Sequence, residues 1–131
     1  MQGFFQVSRH RAGTVLILLI IAVAAGAAMA GWDNATITGD ASKGKANYDK
    51  LCASCHGLKG DGKGPAAAGA NWKMRDFTNK DVMAKIPDAR ILKVIRDGRD
   101  TVPLLGMKAW KDQLTLDEIN DVAAYVKSFS K

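Results

Sequence analysis

Both cysteines of the 131-residue chain lie in one pentapeptide, Cys52-Ala53-Ser54-Cys55-His56, and the only other histidine is His10. Thiols at this spacing stand about one helical turn apart, with an imidazole directly after the second. The flanking sequence agrees. Gly44, Tyr48, Leu51 and Cys55 recur at helical spacing, Asp40 is an N-cap and Gly57 a stop, so a first helix delivers its C-terminal end to the motif. From Gly57 to Asn71 the composition is that of a loop, with Gly57, Gly60, Gly62, Gly64, Pro65 and Gly69. Thr78 with Asp81 predicts a capping box that opens a short helix through Val82 and Ile86, ended by Pro87. Asp88 then caps a helix that buries Ile91, Leu92 and Ile95 and stops at Gly98, and a loop from Arg99 to Asp112 follows. The last helix opens on a Thr115/Glu118 capping box and carries Ile119, Val122, Val126 and Phe129 along one stripe. No strand pattern and no internal repeat is present. The predicted fold is all-α, with short helices joined by loops so long that a compact small domain needs a large central group for them to wrap.

The N-terminus is of another kind. Arg9, His10 and Arg11 precede 21 uncharged residues, Ala12 to Trp32, and Ala28-Met29-Ala30 has the A-x-A form of a signal-peptidase site. Export is indicated, residues 1–30 serving as a signal peptide or, uncleaved, as a membrane anchor, since the stretch 12–32 also meets the length needed to cross a bilayer. Residues 31–39 read as a linker and 40–131 as the domain. Removing residues 1–30 from 131 leaves 101, enough for a thin core, which again calls for something besides side chains to fill it. The net charge of +6 falls to about +4 once Arg9 and Arg11 are gone, and no run of five or six like charges occurs, which argues against a nucleic-acid arm or a polybasic membrane patch.

C-x-x-C-H is the haem-attachment pattern: each thiol adds across a vinyl group of the macrocycle, and the histidine is carried beneath it to reach the iron. Other uses of the same residues fit less well. A thioredoxin-like pair belongs near a βαβ unit, a structural zinc needs four ligands where residues 31–131 offer three Cys or His, and a plain disulfide needs no following histidine.

Over nearly all of residues 40–131 the sequence resembles the class I monohaem c-type cytochromes. The run from Cys52 to Pro65 looks like the family's opening, Met107-Lys108-Ala109-Trp110 like its methionine loop, and Leu114 to Val126 like its terminal helix. The resemblance implies the small cytochrome c fold, one haem c held covalently through Cys52 and Cys55, and crossing terminal helices with Gly44 and Tyr48 near Tyr125. It also implies that the Pro65 carbonyl accepts a hydrogen bond from the ring N–H of His56. The position after the methionine, often Pro in that family, is Lys108 here, which removes one source of loop rigidity.

With His56 as one iron ligand, the second must come from elsewhere. His10 precedes the exported part, so bis-histidine ligation is excluded for a monomer. Met83 lies within a predicted helix, as a core methionine would. Met74, beside Trp72, can line the pocket, whereas Met107, 51 residues past His56 in a Gly/Pro-punctuated loop, has chain enough to approach the opposite face, and the resemblance favours it too. Trp72, Arg75 and Trp110 are candidates to bind the haem propionates, and Val102, Leu104 and Leu105 to wall the distal pocket.

The function so indicated is a one-electron carrier, not an enzyme, passing electrons between redox proteins outside the cytoplasm; a His/Met pair raises the potential relative to harder ligands. Lys59, Lys63, Lys108 and Lys111, outnumbering Asp61 and Asp112 near the motif and methionine loop, predict a docking surface for acidic partners. Two alternatives remain: a haem enzyme or gas sensor, which needs an open iron position, and an electron-transfer subunit of a larger oxidoreductase, retained in the membrane by residues 12–32.

Overall fold

In the computed structural model the chain divides into two units, Met1–Trp32 and Asp33–Lys131, and residues 32–99 and 106–131 are described here. The signal or anchor segment and the expected distal-wall residues Val102, Leu104 and Leu105 lie outside the described residues. Among those described, six helices occur in the order α1 (Ala41–Leu51), α2 (Ala53–His56), α3 (Pro65–Gly69), α4 (Lys80–Ala84), α5 (Asp88–Asp97) and α6 (Leu116–Ser128). No described helix is long and apolar enough to cross a membrane. The one extended pairing among them is an isolated antiparallel bridge between Arg99 and Met107.

The crossing of α1 and α6 is the largest helix contact, and its residues explain why the two can approach. Gly44 faces the backbone of Asp121 so closely that any Cβ there would overlap it, so the helices meet backbone to backbone. One turn on, Tyr48 is fully buried with its ring edge-on to Tyr125 at 5.2 Å and tilted against Phe129 at 5.3 Å. Its hydroxyl donates to the Gly57 carbonyl at 2.8 Å, so the polar tip is satisfied at the end of the motif helix. The contact implied for Gly44, Tyr48 and Tyr125 is therefore present. From α6 the stripe Ile119, Val122, Ala123 and Val126 is buried, and α5 adds Ile91, Leu92 and Ile95. Each large aliphatic side chain so buried stabilises the fold by about 1.5–3 kcal/mol relative to exposure.

Capping follows the sequence at most helix ends. Asp40 accepts from the Ser42 amide at 2.8 Å, and the reciprocal Thr115/Glu118 box is complete, with the Thr115 amide donating to Glu118 Oε2 at 2.8 Å and the Glu118 amide to Thr115 Oγ1 at 3.3 Å. Elsewhere the structure corrects the reading. The predicted first helix is interrupted at Cys52, whose φ of −116° departs from helical values, though Cys52 still donates to the Tyr48 carbonyl at 2.9 Å. The predicted loop 57–71 contains α3, with Pro65 at its first position, where a missing N–H costs nothing. Thr78 does not cap α4. Asp76 takes both the amide and the hydroxyl of Thr78, leaving Asn79 to cap by accepting from the Val82 amide at 3.0 Å. The helix ends at Ala84, before Pro87 is reached, and Pro87 instead precedes α5.

Asp88 is likewise the first helical residue of α5 rather than its cap, and its carboxylate is engaged elsewhere. It accepts from the Ile37 amide at 3.1 Å and from Lys127 Nζ at 2.6 Å. Asn120 Oδ1 takes the amides of Thr38 and Gly39 at 2.9 and 3.0 Å, and Asp121 takes that of Asp40 at 2.6 Å. Four successive amides of the arm are thus bound to α5 and α6, so the segment expected to be a linker up to residue 39 is packed domain from Ile37 onward.

Candidate functional site

A cavity of about 710 Å³ opens between the motif, the segment 71–77, α4, α5 and the segment 106–110, within the range of cofactor-sized sites. Cys52, Cys55 and His56 line one side, brought there by α1 and α2 as the spacing predicts. The loop that follows folds back on them: the Gly62 amide donates to the His56 carbonyl at 2.9 Å and that of Gly64 to Cys55 at 3.2 Å, pairing the carbonyls that end the motif helix. Neither cysteine is oxidised to a disulfide. Burial, with a smaller contribution from Cys55, pushes the Cys52 thiol up to about 11, opposite to the lowered value of a thioredoxin-type redox pair.

The His56 ring is stacked on Phe77, centroids 4.8 Å apart and planes 22° from parallel. Burial lowers its pKa to about 4, so at neutral pH the ring is uncharged and carries a free lone pair. Its Nδ1 is buried without a hydrogen-bond partner. The contact implied for Pro65 is therefore not made. Pro65 is absent from the cavity wall, and as the first residue of α3 its carbonyl points along its own helix.

Met107, Trp72, Arg75 and Trp110, the other residues expected to contact the haem, also line the cavity. Met74 and Met83 line the cavity as well, Met83 also being buried at 2% exposure as a core methionine would be. Sequence reasoning missed Phe77, Lys73, Lys85, Arg90 and Arg99, all of them on the wall. With Arg75 and Lys108 the lining holds six cations and no carboxylate. Of the lysines expected to form a docking surface, only Lys108 lies on this wall, its Nζ 5.1 Å over the Trp110 ring, while Lys59, Lys63 and Lys111 do not line it. No group of three or more His, Cys, Asp or Glu among the described residues is arranged to hold a metal ion by itself, which disfavours a zinc cage.

This is a wall suited to a flat apolar anion that brings its own metal: paired thiols and one neutral, unpartnered imidazole on one side, thioethers and cations elsewhere. Comparison with known proteins agrees. Residues 39–126 match the family model described as cytochrome c oxidase, cbb3-type, subunit III. The chain belongs to this family. Among solved structures the chain is similar to the KustC0563 c-type cytochrome, with 28% identity, a TM-score of 0.55, and coverage of 67% of this chain and 98% of that one. No curated protein matches the chain. The helical architecture without strands among the described residues is accordingly the cytochrome c fold, and the chain is a monohaem c-type cytochrome. The half-buried, neutral His56 and the adjacent thiols fit the group that such a domain carries.

Proposed function

We propose that this cytochrome is an exported one-electron carrier whose haem c is bound covalently by Cys52 and Cys55, with His56 and Met107 as axial ligands. The observation that carries the reading is the convergence of these four residues on one cavity whose only histidine is half-buried, neutral and without a partner at its buried Nδ1. When bound, the haem supplies an iron that cycles between ferrous and ferric with little rearrangement. The protein does the rest. His56 offers an unprotonated nitrogen, Phe77 holds its ring plane, and Met107 offers a soft donor that favours the reduced state. Arg75, Arg90 and Arg99 with Trp72 and Trp110 would receive the propionates, and the remaining lining cations, Lys73, Lys85 and Lys108, are exposed and would steer in an acidic redox partner.

The test is a haem stain after denaturing electrophoresis followed by absorption spectroscopy of the native protein. Retained stain, a low-spin spectrum, a weak methionine-to-ferric charge-transfer band and indifference to carbon monoxide are expected. Met107→Ala should abolish that band and lower the potential. Haem lost on the gel overturns the attachment, and a band that survives Met107→Ala but disappears in Met74→Ala overturns the ligand.

A second reading concerns where the carrier works. The matched family is named for an oxidase subunit, and 21 uncharged residues precede the domain, so the electron partners are taken to be neighbours in a membrane oxidase complex if that segment is retained. Fractionation decides: cytochrome that stays with carbonate-washed membranes is the anchored subunit, and cytochrome in the periplasmic or extracellular fraction is the free shuttle.

A further inference from the structure

Lys108 stands where the resembling family often has a proline, so whatever fixes the Met107 loop here must come from elsewhere. The structure supplies it at the C-terminal end of α5. The Arg99 amide donates to the Met107 carbonyl at 2.8 Å, forming the isolated bridge. The Trp110 amide is shared between the Ile95 and Arg96 carbonyls, both at 3.2 Å, and the Lys111 amide donates to Arg96 at 3.1 Å. The last carbonyls of α5, which no helical amide can reach, are thus closed by the methionine segment itself. Between these two sets of bonds sits Gly98, with φ +75° and ψ −168°, a region essentially restricted to glycine. It packs directly on the other strand of the bridge: a Cβ at 98 would overlap the Met107 carbonyl oxygen and stand 2.8 Å from the Ala109 nitrogen and 3.0 Å from the Lys108 carbonyl carbon. All three are backbone atoms, so they can yield only by moving the segment that carries the methionine.

We infer that Gly98, with the backbone amide of Arg99, is the positioning element for Met107, setting the height of its backbone on the cavity wall in place of a proline. The inference rests on Met107 being the axial ligand. Gly98 touches no bound group; it acts by letting the chain leave α5 in a conformation that brings the Arg99 amide onto the Met107 carbonyl with no side chain between.

The experiment uses the haem-loaded full chain. In Gly98→Ala the charge-transfer band should lose most of its amplitude, the potential should fall and the ferrous form should become reactive to carbon monoxide, with the haem still covalently attached. Ile119→Val, a core change at a residue buried away from the cavity wall, should lower the melting temperature and leave the band intact. Amide hydrogen exchange on the unaltered protein needs no variant to fold: the Arg99 amide should exchange at least about a hundredfold slower than an open loop amide. A full band in Gly98→Ala, or unprotected Arg99 exchange, overturns the inference. A wild type without the band, or one indifferent to Met107→Ala, instead overturns the ligand assignment on which it rests.

Discussion

The α1–α6 crossing and the cavity wall are built from the same short chain by opposite means. At the crossing every large side chain meets another residue: Tyr48 meets Tyr125 and Phe129, and Gly44 lets two backbones touch. Around the cavity, Met74, Met107, Trp72 and Trp110 border a space of about 710 Å³, and the histidine keeps a buried nitrogen without a protein partner. The crossing is packed residue against residue, although its Tyr48, Val122 and Val126 also border the cavity, while the rest of the cavity wall has its surfaces shaped toward a group that is not polypeptide. Folding of the two should therefore depend on haem attachment to different degrees.

The largest effect should come from breaking that dependence. Cys52→Ala with Cys55→Ala should remove all covalent haem and abolish cooperative melting, because the cavity walls lose what they enclose. Residual helical circular dichroism should persist from α1 and α6, while the Trp72 and Trp110 fluorescence shifts toward that of solvated indole. A double variant that melts as sharply as the holoprotein would erase the distinction between the regions. Next in size is Tyr48→Ala, which strikes the crossing: truncation of a fully buried aromatic costs about 3–5 kcal/mol, read by denaturant unfolding of the haem-loaded protein. The spectrum of what remains folded should still show methionine ligation. Third is Thr115→Ala, which removes one side of the α6 capping box and should cost about 1 kcal/mol with no change in potential.

The same contrast explains what could be read from sequence. The motif was legible because its chemistry is contiguous, and the two terminal helices because caps and apolar spacing are local signals, whereas their crossing at Gly44, Tyr48 and Tyr125 came from the family resemblance. The cations and Phe77 were not legible, since Arg90 on α5, Arg99 beyond it and Lys73 in an irregular segment converge only through tertiary placement. Phe77 did leave a trace: a lone aromatic between Asp76 and Thr78, whose side chains lock a turn around it. The caps misread at Thr78 and Asp88 have in common that each side chain is engaged by another partner. Asp76 captures Thr78, and Ile37 and Lys127 capture Asp88. Pro65 was placed by resemblance alone, and it begins a helix off the cavity wall while His56 Nδ1 is left without a hydrogen-bond partner.

The smallest effect concerns the arm, which belongs to the packed half although its composition suggested a linker. Burial alone would raise the Asp88 carboxyl, but hydrogen bonds from Lys127 and the Ile37 amide outweigh it, and its pKa is lowered from the ordinary carboxylate value. A carboxyl lowered in the folded state gives stability that is fully present above the unfolded pKa and is lost as pH falls through the folded one. The arm's attachment should therefore hold at neutral pH and weaken only below about pH 4, where a model aspartate begins to protonate. Asp88→Asn should remove that acid-dependent part. Its penalty at pH 7 should be modest, under about 1 kcal/mol for a partly solvated pair, and should shrink toward zero at low pH. Melting temperatures of wild type and Asp88→Asn measured from pH 7 to pH 3 should thus converge on acidification, and exchange of the Ile37 amide should be faster in the variant at neutral pH. Parallel curves across that range would mean that Asp88 ionisation does not hold the arm, and residues 37–40 would then owe their place to Asn120 and Asp121 alone.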